Sequence, residues 1–331
     1  MRSRKTTLGE RDIIRQLTKK FHQSRRKLPL GFDDDVSAYP LTRVQWLVLK
    51  TDSLVGSTDI PPGMTLAEAA RKAVVATVSD FAAKGVQPSG LLISLTLRSP
   101  VRSSMVDELA RGFYGASREY HCDIIGGDTG ESTDLVIDCI GFGFAKPSRI
   151  LRRDNAKPGD IVAVTGNFGT PSAGLRILLS KSRAQSRRFP RLVRSVIHPV
   201  ARLDVGLKLA NSMMVSSSID SSDGLAWSLH EIARLSRVNL IVERVPVSPG
   251  VDIFAEAQGL SPEELALYGG EEYELVVTIP KEKFPAVRRR VHSLIRIGRV
   301  EKGRGDVLLD RRGKIREIEP RGWEHMHSSN H

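Results

Sequence analysis

The sequence predicts a two-domain protein of mixed class, α/β (α+β), and three observations lead there. Helical and strand periods alternate along nearly the whole chain. Lys146-Pro147-Ser148 interrupts that alternation near the middle and reads as a linker. The length, 331 residues, suits two units of ordinary size, since domains typically run to about 100–200 residues. The boundary is therefore placed at 147, giving domains of 1–147 and 148–331, with no internal repeat of solenoid period.

Each element follows from local pattern. Residues 8–21 read as a short amphipathic helix and 46–50 as a strand. Pro61-Pro62-Gly63 breaks the chain, and Thr65 then stands where an N-cap belongs. Behind it Leu66, Ala69, Ala70, Ala73, Val74, Thr77, Val78 and Phe81 recur at helical spacing, until Gly85 and Pro88 stop the helix. A strand over 91–97 and a helix over 105–120 come next. Residues 123–125 begin a strand that meets Gly126-Gly127, and 135–144 form another. In the second domain, 161–165 read as a buried strand feeding the turn Gly166-Asn167-Phe168-Gly169-Thr170-Pro171 and a helix from Ser172. Residues 181–194 read as an exposed loop, 200–210 as a helix and 213–219 as a strand. Ser222 or Asp223 starts a helix through Leu235, and strands near 240–242, 274–279 and 295–300 complete the pattern.

Composition narrows the class. A hydrophobic fraction of 40% supports real cores and excludes wholesale disorder. No apolar run approaches the ~18–20 residues of a membrane span, and no apolar segment follows the basic N-terminus, so a soluble, cytoplasmic protein is expected. Two cysteines, Cys122 and Cys139, make neither a disulfide framework nor a four-cysteine zinc site. The formal charge of +12 suggests nucleic acid, but it is unevenly spread. Residues 1–27 carry +8, 181–194 carry +6 and 281–321 carry +8, so the remainder carries −10. Few aromatic residues are interleaved with the basic ones. Solvated faces explain these stretches, and a basic nucleic-acid-binding protein stands as the rival reading.

The chemistry lies in the carboxylates. Asp33-Asp34-Asp35 follows Pro29-Leu30-Gly31; Asp52 follows a strand; Asp59 precedes the Pro-Pro turn; Asp128 follows a Gly-Gly pair; Asp220 and Asp223 flank a strand-to-helix turn. Asp80 sits inside an apolar helix and needs a partner there. Any one of these acids, taken alone, is more often a turn or cap residue than a ligand. Gathered in one cleft, they would repel unless divalent cations lay between them, and hard oxygen ligands select Mg²⁺. The G-x-x-x-x-G-K-[ST] pattern is absent, which points to phosphate handling through metal bridges.

The ordered motifs Asp34-Asp35-Val36-Ser37, Lys50-Thr51-Asp52-Ser53-Leu54-Val55, Val78-Ser79-Asp80-Phe81-Ala82-Ala83-Lys84-Gly85 and Gly126-Gly127-Asp128-Thr129 carry a resemblance. Arg153-Asp154-Asn155-Ala156-Lys157-Pro158-Gly159-Asp160, Asp220-Ser221-Ser222-Asp223-Gly224-Leu225, Gly269-Gly270-Glu271-Glu272-Tyr273-Glu274-Leu275 and Gly322-Trp323-Glu324-His325 continue it. The chain resembles the thiamine-monophosphate kinases over roughly residues 28–326, and with them the wider aminoimidazole ribonucleotide synthetase-like superfamily. Other ATP-using enzymes of that superfamily fit less well. The reactive cysteine of selenophosphate synthetases and the terminal cysteine of hydrogenase-maturation relatives are both missing.

The resemblance implies a two-domain fold whose N-terminal domains join two chains in a dimer sheet or barrel. It implies ATP- and Mg²⁺-dependent transfer of the γ-phosphoryl group to thiamine monophosphate, giving thiamine diphosphate. Asp35, Thr51, Asp52, Asp80, Asp128, Asp220 and Asp223 are assigned to several Mg²⁺ ions, with Asp34 supporting; Asp80, Asp128 and Asp220 are taken as catalytic. Gly127, Asp128, Arg153 and Ser222 would touch ATP. Asp59, Glu271 and Trp323 would face the thiamine end, where Trp323 either stacks on the thiazolium or packs as a satellite-core residue. The turn at 166–172 either offers N–H groups to an anion or is a plain tight turn. His325 and His327 read as a tail. Asp33, Gly56, Asp59, Thr77 and Glu272 depart from the common family pattern, so the register of the acidic triplet and the role of Asp59 stay open.

Overall fold

Fifteen of the nineteen residues in the helix that follows Thr65 are buried, and the rest of the fold is arranged around it. The computed structural model describes residues 8–21 and 28–324. Thr65 and Glu68 close a reciprocal capping box at the helix start, and Gly85, at φ 63°, ends it in the left-handed region. In chain order the first half comprises α1 (Glu10–Phe21), β1 (Ser37–Pro40), β2 (Trp46–Val55), α2 (Gly56–Asp59) and the central helix α3 (Leu66–Lys84). β3 (Pro88–Leu97), α4 (Ser103–Glu119), β4 (Ile124–Glu131) and β5 (Val136–Ala145) follow. These strands form a five-stranded sheet in the order β1-β2-β5-β3-β4, antiparallel except for β3 and β4, which α4 connects as a crossover.

The second half begins with β6 (Asp160–Val164), α5 (Thr170–Leu179), α6 (Arg183–Arg188), α7 (Pro190–Ile197), α8 (Leu203–Ser212) and β7 (Ser217–Asp220). It continues through α9 (Leu225–Ser236), β8 (Val238–Val242), α10 (Val251–Gln258), α11 (Pro262–Tyr268) and β9 (Leu275–Pro280). α12 (Phe284–Arg290), β10 (Ile295–Lys302), β11 (Val307–Arg311) and β12 (Lys314–Glu317) complete it. Its seven strands run β12-β11-β8-β10-β6-β9-β7.

α3 lies between the two sheets. One core cluster joins its Ala69, Val74 and Val78 to Leu91 and Ile137 of the first sheet and to Leu275 and Val277 of the second. A helix apolar on all sides is what such a position requires. Two glycines allow the close approach of its neighbours. A Cβ on Gly112 of α4 would stand 2.0 Å from the Ala67 carbonyl oxygen, and one on Gly206 of α8 would stand 2.0 Å from that of Ala82. α3 covers only one face of the first sheet. On the other face Leu49, Leu92, Ile125 and Phe144 are exposed. Within the described chain this sheet is open and closes into no barrel.

The structure corrects several predicted elements. Residues 181–194 are not a loop: α6 and most of α7 occupy them, because Leu192 and Val196 bury one face of α7 against α5. β2 runs on to Val55, so Thr51 and Asp52 lie within a strand rather than after it. β4 passes through Gly126-Gly127 to Glu131, since the Gly127 backbone packs directly on Ile93. β1, α2, α10, α11, α12, β11 and β12 had no expectation attached to them. His325 and His327 lie outside the described residues.

Candidate active site

The buried acids converge beside α3, between the two sheets. Asp35, Asp80 and Asp220 each offer a carboxylate oxygen, all within 4.8 Å of one another. Strand alternation puts Lys50 and Asp52 on the face of β2 that looks toward α3. Lys50 Nζ lies 3.0 Å from Asp80 and 3.2 Å from Asp52, which joins Asp52 to the group. Ser79 Oγ donates to Asp220 at 2.7 Å. Asp35 is held on one side by Arg153, whose Nε donates at 2.9 Å, and on the other by Lys84 at 2.5 Å. Asp34 lies 2.5 Å from the same ammonium. Asp33 instead faces out toward Arg234, which settles the register of the triplet: Asp34 and Asp35 turn inward.

These acids do not depend on divalent cations alone to stay ionised. Lys50, Lys84 and Arg153 bring positive charge into the cluster from the chain itself. Burial opposes ionisation of Asp35, but Arg153 and Lys84 outweigh it and hold the carboxyl below its usual range. Asp80 goes the other way. Its burial, with Asp52, Asp220 and Asp35 nearby, outweighs Lys50 and pushes it well above the carboxylate range. Burial and Asp35 raise Asp220 to about 7, against the Ser79 hydrogen bond. Burial likewise raises Asp223 to about 6. Buried Asp52 Oδ2 has no hydrogen-bond partner, and Asp35 Oδ2 has none beyond its ion pair with Lys84. An orphaned carboxylate oxygen beside three convergent acids is a donor set that fits a hard divalent cation.

Thr51 and Asp128 are not brought to this cluster within one chain. The register sets Ser53, Asp138, Ser94 and Asp128 in one row across the sheet, on the open face with Thr51; Asp52 and Gly127 belong to the opposite face. Arg153 spends its guanidinium on Asp35 and approaches Glu231 at 3.9 Å. Ser222 is exposed, and its carbonyl accepts from the Glu271 N–H at 2.6 Å.

The proposed substrate end is assembled by a residue that sequence reasoning missed. Buried Lys72 lies 2.5 Å from Glu271 Oε1 and donates to the Asp59 carbonyl at 2.9 Å, so it joins two residues 212 positions apart in sequence. The Asp59 carboxylate is taken by the Val55 N–H at 2.7 Å. Glu271 and Tyr273 hold φ of 63° and 53°, a left-handed conformation that costs non-glycine residues free energy and accumulates at functional sites. Trp323 is 41% exposed beside Gly270, and its backbone N–H donates to the Asp223 carbonyl at 2.9 Å. Arg11 of α1 lies 3.4 Å over the Trp227 ring and 3.9 Å from Asp223, tying α1 to this turn. The available signal for Lys72 and Lys84 was a lysine inside an apolar helix, the same signal that marked Asp80.

The turn at 166–172 does receive a carboxyl group, and it is the chain's own. Gly169 N–H donates to the Glu272 carboxylate at the start of α5. Burial raises the Glu272 carboxyl well above its ordinary 4.5 despite that bond. Because the folded-state value is the higher one, wild-type stability is lost as pH rises through the window above 4.5. Glu272→Gln keeps the acceptor oxygen and removes the titration. We expect its Tm to exceed wild type by roughly 2–4 °C at pH 8, for about 1 kcal/mol, and to converge with it near pH 4.5. Equal melting temperatures at pH 8 would contradict this assignment.

Two consecutive domains around a shared acid cluster define a protein of the AIR synthase related class. The family described as AIR synthase related protein, N-terminal domain, matches residues 33–145, and the corresponding C-terminal domain family matches 157–311. Within that class two relatives carry the same activity name. A thiamine-monophosphate kinase of Nitrosopumilus maritimus is 39% identical over 91% of this chain and 95% of that one. Its counterpart in Pyrococcus abyssi is 38% identical over 97% and 96%. A solved structure described as AaThiL complexed with AMPPCP and TMP superposes with a TM-score of 0.85, at 31% identity over 98% and 99% of the two chains. The chain belongs to the thiamine-monophosphate kinase family.

Proposed function

We propose that this protein transfers the γ-phosphoryl group of ATP to thiamine monophosphate, yielding thiamine diphosphate and ADP. The observation that carries the reading is the convergence of Asp35, Asp80 and Asp220 in a chain of this family. The acceptor is a phosphate with a second pKa near ~6, already largely dianionic at neutral pH, so no strong general base is required. Positioning and charge neutralisation carry such a transfer. Mg²⁺, when bound, supplies that neutralisation between the two anions. Asp35, Asp52, Asp80, Asp220 and Asp223 would hold it, with Asp34 behind them, and Ser79 orients Asp220. Gly127, Asp128, Arg153 and Ser222 are assigned to ATP, and Asp59, Glu271 and Trp323 to the thiamine end. The domains are 1–147 and 148–331.

Thr51 and Asp128 reach the reaction most simply in a homodimer formed through the open face of the first sheet, which exposes Leu49, Leu92, Ile125 and Phe144. Light scattering is expected to give twice the chain mass, and Ile125→Asp the mass of one chain. A wild-type monomer at micromolar concentration would refute the dimer. We place the enzyme in the cytoplasm; among the described residues no helix is long and apolar enough to cross a membrane.

The nucleic-acid rival loses ground on the basic C-terminal surface. Glu243 engages Arg296 and Arg299, and Glu263 engages Arg311 and Arg316, so much of that charge is already paired. Release of ADP is expected to require thiamine monophosphate and to stop when EDTA removes Mg²⁺. Salt-sensitive nucleic-acid binding without ADP release would reverse the choice.

A further inference from the structure

We propose that Lys84 stands permanently in the place of one divalent cation at the Asp34–Asp35 end of the acid cluster. The inference rests on the metal site proposed above and concerns how many ions that site takes. An ammonium group has three donors and no acceptor. Lys84 donates to the Ser218 carbonyl at 3.0 Å and forms ion pairs with Asp34 Oδ1 and Asp35 Oδ2, each at 2.5 Å. Its side chain is 0% exposed. Its backbone is fixed as well, because the Lys84 carbonyl accepts from Leu151 N–H at 3.1 Å and the next residue is the left-handed cap Gly85. A fully buried ammonium paired with two carboxylates and bonded to a carbonyl is held in place by the fold itself.

Lys50 makes the contrast. Its side chain is 23% exposed and it pairs with Asp52 and Asp80, so it can withdraw toward solvent when an ion arrives. Arg153 completes the division by covering the other oxygen of Asp35. Asp52, Asp80, Asp220 and Asp223 are left to exchangeable ions, together with Asp35, whose carboxylate has about four lone-pair sites and lies within 4.8 Å of those of Asp80 and Asp220. Asp34 is the carboxylate whose partner is Lys84, and a methionine at position 84 would free a two-acid site of the kind that hard cations occupy.

Counting bound Mn²⁺ by electron paramagnetic resonance on the full chain, without nucleotide, tests this. Lys84→Met is expected to bind one more Mn²⁺ per chain than wild type and to gain more in Tm when Mn²⁺ is added. Adding Asp34→Asn to Lys84→Met is expected to return the count to the wild-type number. A Lys84→Met protein that binds the wild-type number or fewer overturns the proposal. Should Lys84→Met fail to fold, Asp34→Asn alone decides: an unchanged count is expected, and loss of one Mn²⁺ overturns it. A wild type that binds no Mn²⁺ contradicts the metal site itself and this proposal with it. An inactive wild type that still binds Mn²⁺ contradicts only the kinase reading.

Discussion

Asp80→Asn is expected to lower kcat/KM by at least about a thousandfold while leaving the protein folded. A thousandfold corresponds to ~4 kcal/mol of transition-state stabilisation, the scale of losing one well-placed electrostatic group in a site that excludes water. Asp80 is such a group: it is buried on α3, 3.0 Å from Lys50 and within reach of Asp35 and Asp220. Folding should not suffer, because the fold opposes its ionisation. Its carboxyl is pushed well above the usual range, so at pH 7 the metal-free wild type carries a cost that the isosteric amide lacks. Melting of the metal-free variant at or above the wild-type temperature is therefore expected. Steady-state kinetics at saturating Mg²⁺ check the first part, and near-normal turnover would remove Asp80 from the site.

Lys72→Met is expected to raise KM for thiamine monophosphate about 10- to 100-fold and to leave KM for ATP unmoved. Charge-assisted hydrogen bonds contribute roughly 1.5–3 kcal/mol, which sets that range. The asymmetry between substrates follows from what Lys72 touches: Glu271 and the Asp59 carbonyl, with none of the central acids in contact. Glu271 holds its φ of 63° only while its surroundings impose it. Without the ammonium, one of those restraints is gone and the carboxylate has a wider range of positions. Equal shifts in both KM values, or none, would place Lys72 in a merely structural role.

How much of this was legible beforehand depended on sequence distance. α3 was readable because its cap, its periodicity and its stop are all local. Asp80 was readable because an acid in an apolar helix demands an explanation. The ions that meet the acids were not, since Lys84 reaches Asp34 from 50 residues away and Lys72 reaches Glu271 from 199. The sequence reading treated the carboxylates as a set needing metals, and pairing across such separations is a property of the fold. Strand ends failed for a related reason. Asp52 and Asp128 read as strand-end residues because polar and glycine residues mark turns, but sheet pairing carried both strands past them. That extension put Asp52 and Asp128 on opposite faces. The stretch 181–194 read as loop through its charge, yet two buried side chains, Leu192 and Val196, are enough to seat α7.

Transfer from ATP to thiamine monophosphate moves one phosphorus atom between two phosphates, and one label follows it. With ATP labelled at the γ-phosphorus, Mg²⁺ and thiamine monophosphate, the label is predicted to arrive in the terminal phosphate of thiamine diphosphate, in a one-to-one ratio with ADP. Label released only as inorganic phosphate, or left wholly on ATP, would contradict it.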